Sequence, residues 1–453
     1  MKTPPTAKDS TRRQFLKKTG SVTATSALLA SLPRNVFAAD DNSIRLAFVG
    51  CGNRGAGAVA NALSVPNGEQ VKLHAMADLH PEPMEEKHAA LKRKFGDRID
   101  VSLGMRFTGF DAYKAAIDTL RPGDIAMCTT RAYIRPAHVE YAVKKGVNVF
   151  MEKPFACDPG GLKRLLRAVE LAEKNGVKIA AGLQCRHSPA RQALIDKIRD
   201  GELGDIQLIR ANRLGGRRWM APQGDKAFKL TEQIKFGKIH LLWIGSGHMV
   251  DNLIHQIDEC CWIKDAWPVS CIAMGAREVG STDCGQNLDV YSMEYTFADG
   301  TKALCGFRRQ HKARTDFTTF LHGTKKAAQF SGLVHKATVH LFKDQRIGRP
   351  HVEWTPTDDA LQPWQYEWNN FIESIRKDRP HNEGRRAVYA DYASLMGRAA
   401  THTGVEVTWD EMLASDFQFC DYHDKLDYNS DVPVKPDKNG RFPTPRPEDW
   451  EET

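Results

Sequence analysis

Ile44-Arg45-Leu46-Ala47-Phe48-Val49-Gly50-Cys51-Gly52-Asn53-Arg54-Gly55 decides the fold. A short β-rich run ends in glycine, and a helical pattern at 56–64 follows at once. G-x-G-x-x-G is a weak signal in isolation, but between a strand and a helix it has a mechanism. Gly50 allows the tight turn, Gly52 lets the backbone approach a pyrophosphate, and Gly55 permits close helix–strand packing. The helix N-terminus then offers free N–H groups and a partial positive charge to phosphate oxygens.

Outward from that turn, apolar runs alternate with amphipathic ones. Val71–Ala77, Asp124–Thr129, Val147–Met151 and Lys178–Leu183 read as strands. The stretches 82–95, 136–145 and 159–175 between them read as helices. Such alternation predicts an α/β domain with a doubly wound parallel sheet, a Rossmann arrangement over 40–184. Asp78 follows the second strand, 23 residues beyond Gly55, where an acid accepts hydrogen bonds from a ribose. A carboxylate there repels a 2′-phosphate, so NAD is favoured over NADP, although Arg54 in the turn keeps NADP open. From about residue 185 the pattern changes to clustered alternating runs at 206–214, 269–279, 288–297, 302–310 and 317–330. Asp299-Gly300 marks a hairpin turn after the third of these. The expectation for 185–420 is an α+β domain with a large, mostly antiparallel sheet. A helical region at 364–403 ends it, and a Pro- and Asp-rich tail follows over 421–453.

The first 39 residues read as a separate processing segment. Thr11-Arg12-Arg13-Gln14-Phe15-Leu16-Lys17 is a twin-arginine pattern, followed by a mildly apolar stretch and the small-residue site Val36-Phe37-Ala38-Ala39. Export by the twin-arginine machinery to the periplasm is the expectation. The formal charge of the full chain is +8. Residues 1–38 hold seven Lys and Arg against Asp9 alone, so about +2 remains beyond them. A near-neutral remainder argues against nucleic acid as partner. No stretch approaches the roughly 18 apolar residues of a membrane span. Ten cysteines without C-x-x-C spacing read as small buried hydrophobes, and no metal site is expected.

Glu152-Lys153-Pro154 follows the strand V-N-V-F-M, at the edge where open parallel sheets bind ligands. Together with the glycine turn and Asp78, the run K-K-G-V-N-V-F-M-E-K-P resembles the Gfo/Idh/MocA family of glucose–fructose oxidoreductases and inositol dehydrogenases. The likeness continues through Arg186-His187-Ser188-Pro189 and Gly201–Ile206, and resumes in T-G-V-E-V-T-W-D at 403–410. It implies an NAD(P)-dependent oxidoreductase acting on a sugar, sugar derivative or polyol. It implies that Lys153 approaches substrate and nicotinamide. Asp251 and His255, an i, i+4 pair, then become the substrate-binding or proton-relay residue and the general acid/base. Asp258 is a competing partner for His255. Gly50, Gly52, Asn53, Arg54, Gly55, Asp78, Thr130, Glu152 and Lys153 make up the expected cofactor set. Arg186, Asn252 and Trp219 are the expected substrate contacts.

The chain departs from the family in the loop after the strand Asp124–Thr129, where Thr130-Arg131 replaces Thr-Pro and Arg135 stands in place of a histidine. These arginines either welcome an acidic substrate or bind phosphate oxygens. The segment 213–245, with Arg217, Arg218, Trp219 and Trp243, is either a sugar-binding wall or a partner interface. An alternative activity is glycoside cleavage by a hydrolase or lyase that keeps and recycles its NAD. A vestigial binding protein is a third reading. The resemblance also implies a homodimer or homotetramer, formed on the open sheet face.

Overall fold

The run ahead of the glycines forms β1 (Ile44–Val49), buried along almost its whole length. The computed structural model describes residues 43–216, 221, 224–278, 283, 285–333, 335–421 and 423–453. The twin-arginine segment and Trp219, with Arg217 and Arg218, lie outside them. Strand β2 is Val71–Asp78, β3 Arg106–Thr108, β4 Ile125–Cys128, β5 Asn148–Met151 and β6 Ile179–Ala181. All pair in parallel in the order β3-β2-β1-β4-β5-β6. The order reverses between β1 and β4, which opens a crevice at their carboxyl ends.

Helices α1 (Asn53–Leu63), α2 (Pro81–Phe95), α3 (Ala112–Asp118), α4 (Arg135–Lys144) and α5 (Pro159–Asn175) connect these strands. Strand β3 and helix α3 were not anticipated from the sequence. In β3 none of the three residues is buried, so the apolar run that marks the central strands is missing. Helix α6 (Pro189–Arg199) leads into β7 (Ile206–Gly215) and the second sheet.

Strands β8 (Ser270–Ala276), β9 (Val290–Thr296), β10 (Lys302–Arg309), β11 (Thr319–Gly323), β12 (Ala327–Ser331), β13 (His340–Phe342), β14 (Val352–Trp354) and β15 (Val407–Thr408) complete that sheet. Its order is β14-β13-β12-β11-β7-β10-β9-β8-β15, and all its pairs are antiparallel except β7 with β10. The expected mostly antiparallel sheet is therefore present. The run at 317–330 is two strands, because Thr324 and Lys325 turn the chain between them. Helix α7 (Gly247–Lys264) packs against β7 and β10, and on its other side meets the long C-terminal helix.

The helical stretch 364–403 is likewise two helices, α8 (Pro363–Arg376) and α9 (Gly384–Thr403), parted around Pro380. Helix α8 leaves the second sheet and packs on α1 of the first. Its Trp368, Phe371, Ile372 and Ile375 are buried among Phe48, Met127 and Phe150. Each such side chain contributes about 1.5–3 kcal/mol by burial. A last helix, α10 (Trp409–Ala414), opens on a capping box between Thr408 and Glu411. The nine described cysteines are all free and buried. Among the described residues no helix is long and apolar enough to cross a membrane.

The Pro- and Asp-rich end of the chain is tied into this body. Glu452 is 1% exposed and lies 2.7 Å from both Arg398 Nε and His402 Nδ1. Burial pushes its carboxyl up, but Arg398 and His402 outweigh it and hold the group at about 2. Removing one member of a buried ion pair leaves an uncompensated charge, at a cost of about 3–5 kcal/mol. Glu452→Ala is therefore expected to lower the melting temperature by about 4–6 °C, read by differential scanning calorimetry.

Candidate active site

The glycine turn shows why those positions carry no side chain. Gly50 has φ +90°, and a Cβ there would meet the backbone nitrogen of Thr130 at 2.5 Å. A Cβ on Gly55 would strike the Phe48 ring and Thr129 Oγ1, both at 2.4 Å. A Cβ on Gly52 would meet no protein atom within 4 Å, since it faces a cavity of about 660 Å³. Gly52 caps α1 without a side-chain hydrogen bond, so the helix start is left to an external anion. Asn53, Arg54, Asp78, Thr130 and Arg131 line the same cavity. Asp78 accepts the Cys51 N–H at 2.7 Å and the His80 N–H at 3.0 Å, which fixes its carboxylate beside the turn. A bare glycine edge, an uncapped helix and a carboxylate at the end of β2 fit a dinucleotide.

Arg54 does not present itself to a 2′-phosphate. Its Nε donates to Glu152 Oε1 at 2.6 Å, and its guanidinium covers the Trp364 ring. Glu152 is thereby a structural partner behind the turn. Thr130 directs its hydroxyl to His138 Nδ1 at 3.1 Å, and His138 stacks on Tyr113.

Arg135 is neither a substrate nor a phosphate ligand. It is 3% exposed, and it donates to the carbonyls of Cys128, Thr130 and Pro154. Burial pulls its pKa down to about 10. Arg131 remains on the cavity wall, where Asp251 and Asp78 are the carboxylates that act on it.

The loop after β5 brings Lys153 to α7. The Glu152 N–H bonds to the Cys128 carbonyl, so the end of β5 sits beside the end of β4. Lys153 Nζ lies 3.1 Å from Asp251 Oδ1 and also donates to the Asp251 carbonyl. His255 stands one turn along the same face of α7. Its Nδ1 is buried, with no hydrogen-bond partner among the described residues. Burial first, then Lys153, Arg213, His335 and Arg191, hold the imidazole well below its ordinary pKa. The ring is therefore neutral near pH 7 and able to accept a proton. Asp251 is the partner of Lys153. Asp258 does not compete for His255, because both its oxygens face Arg186, with Arg386 at 3.5 Å.

That ion pair also reassigns Arg186, which is committed to Asp258 and to the face of Trp262. Asn252 is buried and accepts from Arg309 Nη2 at 2.7 Å, while its own amide donates to the His248 carbonyl. Trp243 is fully buried against Tyr133, with its Nε1 on Gln233. It is core, not a sugar-binding wall. Sequence reading missed Arg213, Arg309 and His335 around this group. Strand alternation alone places Arg213 on the buried face of β7, and that signal was available.

Residues 44–183 match the family described as "Oxidoreductase family, NAD-binding Rossmann fold", GFO_IDH_MocA. That match covers the glycine turn, Asp78 and Lys153, the NAD-binding part of the chain. The chain is 23% identical over 337 residues to inositol 2-dehydrogenase of Rhizobium meliloti, spanning 74% of this chain and 89% of that protein. It is 20% identical over 331 residues to the rhizopine catabolism protein MocA of Rhizobium meliloti, spanning 72% and 91%. The fold is shared with scyllo-inositol dehydrogenase of Lactobacillus casei, solved with NAD(H) and scyllo-inositol. There the TM-score is 0.60 at 18% identity, over 81% of this chain and 99% of that one. The chain is accordingly an NAD-binding oxidoreductase, and it positions its Lys153 loop with a residue outside the family-matched segment.

That residue is Asp391 on α9, whose Oδ2 accepts the N–H groups of Phe155 at 2.6 Å and Ala156 at 3.0 Å. Burial pushes its carboxyl up to about 7. A raised pKa means that the folded state keeps a proton which the unfolded chain, at an ordinary 3.8, has released. Stability is then full below the unfolded value and falls as pH rises toward 7, by about 1.4 kcal/mol per pH unit. Asp391→Asn keeps an acceptor for both amides without titrating. Its denaturation midpoint is expected to gain on the wild type at each step from pH 5 to 7. A difference independent of pH would contradict this origin.

Proposed function

We propose that this protein oxidises a CH–OH carbon of a sugar, sugar derivative or polyol. The observation that carries the reading is the convergence of Lys153, Asp251 and neutral His255 beside the dinucleotide cradle. Gly50, Gly52, Gly55, the first turn of α1 and Asp78 would hold NAD, which when bound supplies a hydride acceptor.

The chain's own groups then divide the work. Asp251 holds the Lys153 ammonium by its carboxylate and its carbonyl, so the third N–H direction is left for the oxygen of the reacting alcohol. Loss of hydride from carbon requires loss of the hydroxyl proton, and a neutral imidazole is the base for it. His255 takes that proton, and the cations that depress its pKa favour passing it on. The similarity to inositol 2-dehydrogenase of Rhizobium meliloti supports hydride transfer over glycoside cleavage.

His255→Asn is expected to lower kcat by about 10²–10⁴-fold, and Lys153→Met to lower kcat/KM while NADH still binds by fluorescence. Because His255 sits below its ordinary pKa, the acid limb of the wild-type kcat profile is expected below pH 6.5. A limb above 6.5, or full activity in His255→Asn, would remove His255 from the role. We further propose that residues 1–39 direct export. Two or four copies then pack through the outer face of the second sheet, where Ile272, Met274 and Leu304 are exposed. Protein recovered from the periplasm is expected to lack that segment and to scatter light as a dimer or tetramer.

A further inference from the structure

Three buried arginines and the half-buried Arg186 show what a structural guanidinium looks like in this chain. Arg135 meets three carbonyls, and Arg186 meets the Asp258 carboxylate. Arg191 meets Ser331 Oγ at 2.9 Å and the Leu333 carbonyl at 2.9 Å. Arg398 meets Glu452, Ser246 and the Cys157 carbonyl. Each desolvated cation is answered by acceptors, as burial requires.

Arg213 is different. It is 9% exposed, on the face of β7 that packs against α7. Its guanidinium lies over the Phe317 ring at 4.0 Å, which fixes the plane of the group. Its Nε and Nη1 are buried, and among the described residues neither has a hydrogen-bond partner. The strongest neighbouring charge is another cation, Arg309, at the end of the adjacent parallel strand β10. The acid that acts on both arginines is Asp251, which is already paired with Lys153. Glu259, the next acid on this side of α7, has one oxygen on Thr319 and the other on Ser331, with Arg191 at 3.4 Å. Burial pulls Arg213 down to about 10, in keeping with a cation short of a counter-charge. Nearby His335 adds a buried Nδ1 without a partner among the described residues.

We propose that Arg213 anchors an anionic group of the substrate, so that the molecule oxidised at Lys153 and His255 is an acidic sugar derivative carrying a carboxylate or a phosphate ester. A rigid, stacked guanidinium with two unpaired donors matches an oxyanion, which supplies both the missing acceptors and the missing charge. The excess of positive charge over Asp251 disfavours a neutral polyol only by comparison, since its hydroxyls fill the donors without answering the charge. The inference rests on the dehydrogenase reading above for where the substrate sits. It adds the chemical class.

The test uses the mature protein loaded with NADH, titrated calorimetrically. Glucuronate, galacturonate and gluconate form one arm, glucose 6-phosphate a second, and glucose, galactose and sorbitol the neutral reference. At least one acid is expected to bind roughly 10–100-fold more tightly than its neutral counterpart. The arm in which that preference appears assigns carboxylate or phosphate. Arg213→Met is expected to erase the preference and Arg213→Lys to retain part of it, with NADH binding in both confirming a folded cradle. Equal binding of acids and neutral sugars by the wild type overturns the proposal, as does a preference that survives in Arg213→Met. Turnover of the same panel is read separately. Acid binding without any NADH formed from NAD would sink the dehydrogenase reading and leave the anion site standing.

Discussion

The site depends on one buried cation that touches no substrate. Parallel strands end with carbonyls that have no partner in the sheet, and those of β4 and the loop after β5 lie side by side. Arg135 enters from the first turn of α4 and takes the carbonyls of Cys128, Thr130 and Pro154 at once. Burying a guanidinium costs several kcal/mol unless its donors are met. The requirement is mutual, because the Thr130 and Pro154 carbonyls would otherwise be orphans. The loop that lines the dinucleotide cavity and the loop that carries Lys153 are thus locked to each other by a common donor. A histidine in that position offers at most two N–H groups and could not join three carbonyls. This gives the departure from the family pattern a structural reason.

Charge along α7 is arranged in layers, and the contrast between them defines the reactive one. Asp258 is matched by Arg186 and Arg386, and Glu259 by Arg191 and two hydroxyls. Both layers are closed, and the Glu259 layer ties the helix to β11 and β12 through Thr319 and Ser331. Two turns earlier, Asp251 faces Lys153, with Arg213 and Arg309 within its field. That layer carries surplus positive charge, and His255 lies inside it. A base surrounded by cations is kept neutral without needing a dedicated hydrogen-bond partner on Nδ1. The surplus that sets the base is also what an anionic substrate would complete.

How far this was legible follows from what each residue's partner is. The glycine turn, Asp78 and Lys153 are local to strand ends, so spacing along the chain reports their position in space, and β1 matches its predicted bounds residue for residue. Arg186 looked like a substrate contact because its partner Asp258 lies 72 residues away, and periodicity carries no information at that separation. Arg54 was ambiguous for the same reason until Glu152, 98 residues on, claimed it. Helix α8 was placed with the second sheet by chain order. It returns to the first sheet because Trp368 and Phe371 complete the apolar layer over α1. Alternation along β7 puts Arg213 at an inward position, but it carries no information on whether an inward arginine has a partner.

The far end of the chain shows how the start of the helix bearing Asp251 and His255 is set. Ser246 and Gly247 both have positive φ, 65° and 88°, and break the chain between the short helix Leu242–Gly245 and α7. For serine, left-handed backbone costs roughly 1–2 kcal/mol. Arg398 offsets this by donating to the Ser246 carbonyl at 3.1 Å and hydroxyl at 2.9 Å. Hydrogen bonds from a charged donor are each worth about 1.5–3 kcal/mol. Arg398 also holds the Cys157 carbonyl, four residues beyond Lys153, and is itself held by Glu452. The Lys153 loop and the start of α7 therefore share a fastening, and its counter-ion comes from the last residues of the chain. The ion pair at Lys153 and Asp251 keeps its geometry because both of its ends are anchored to the same arginine.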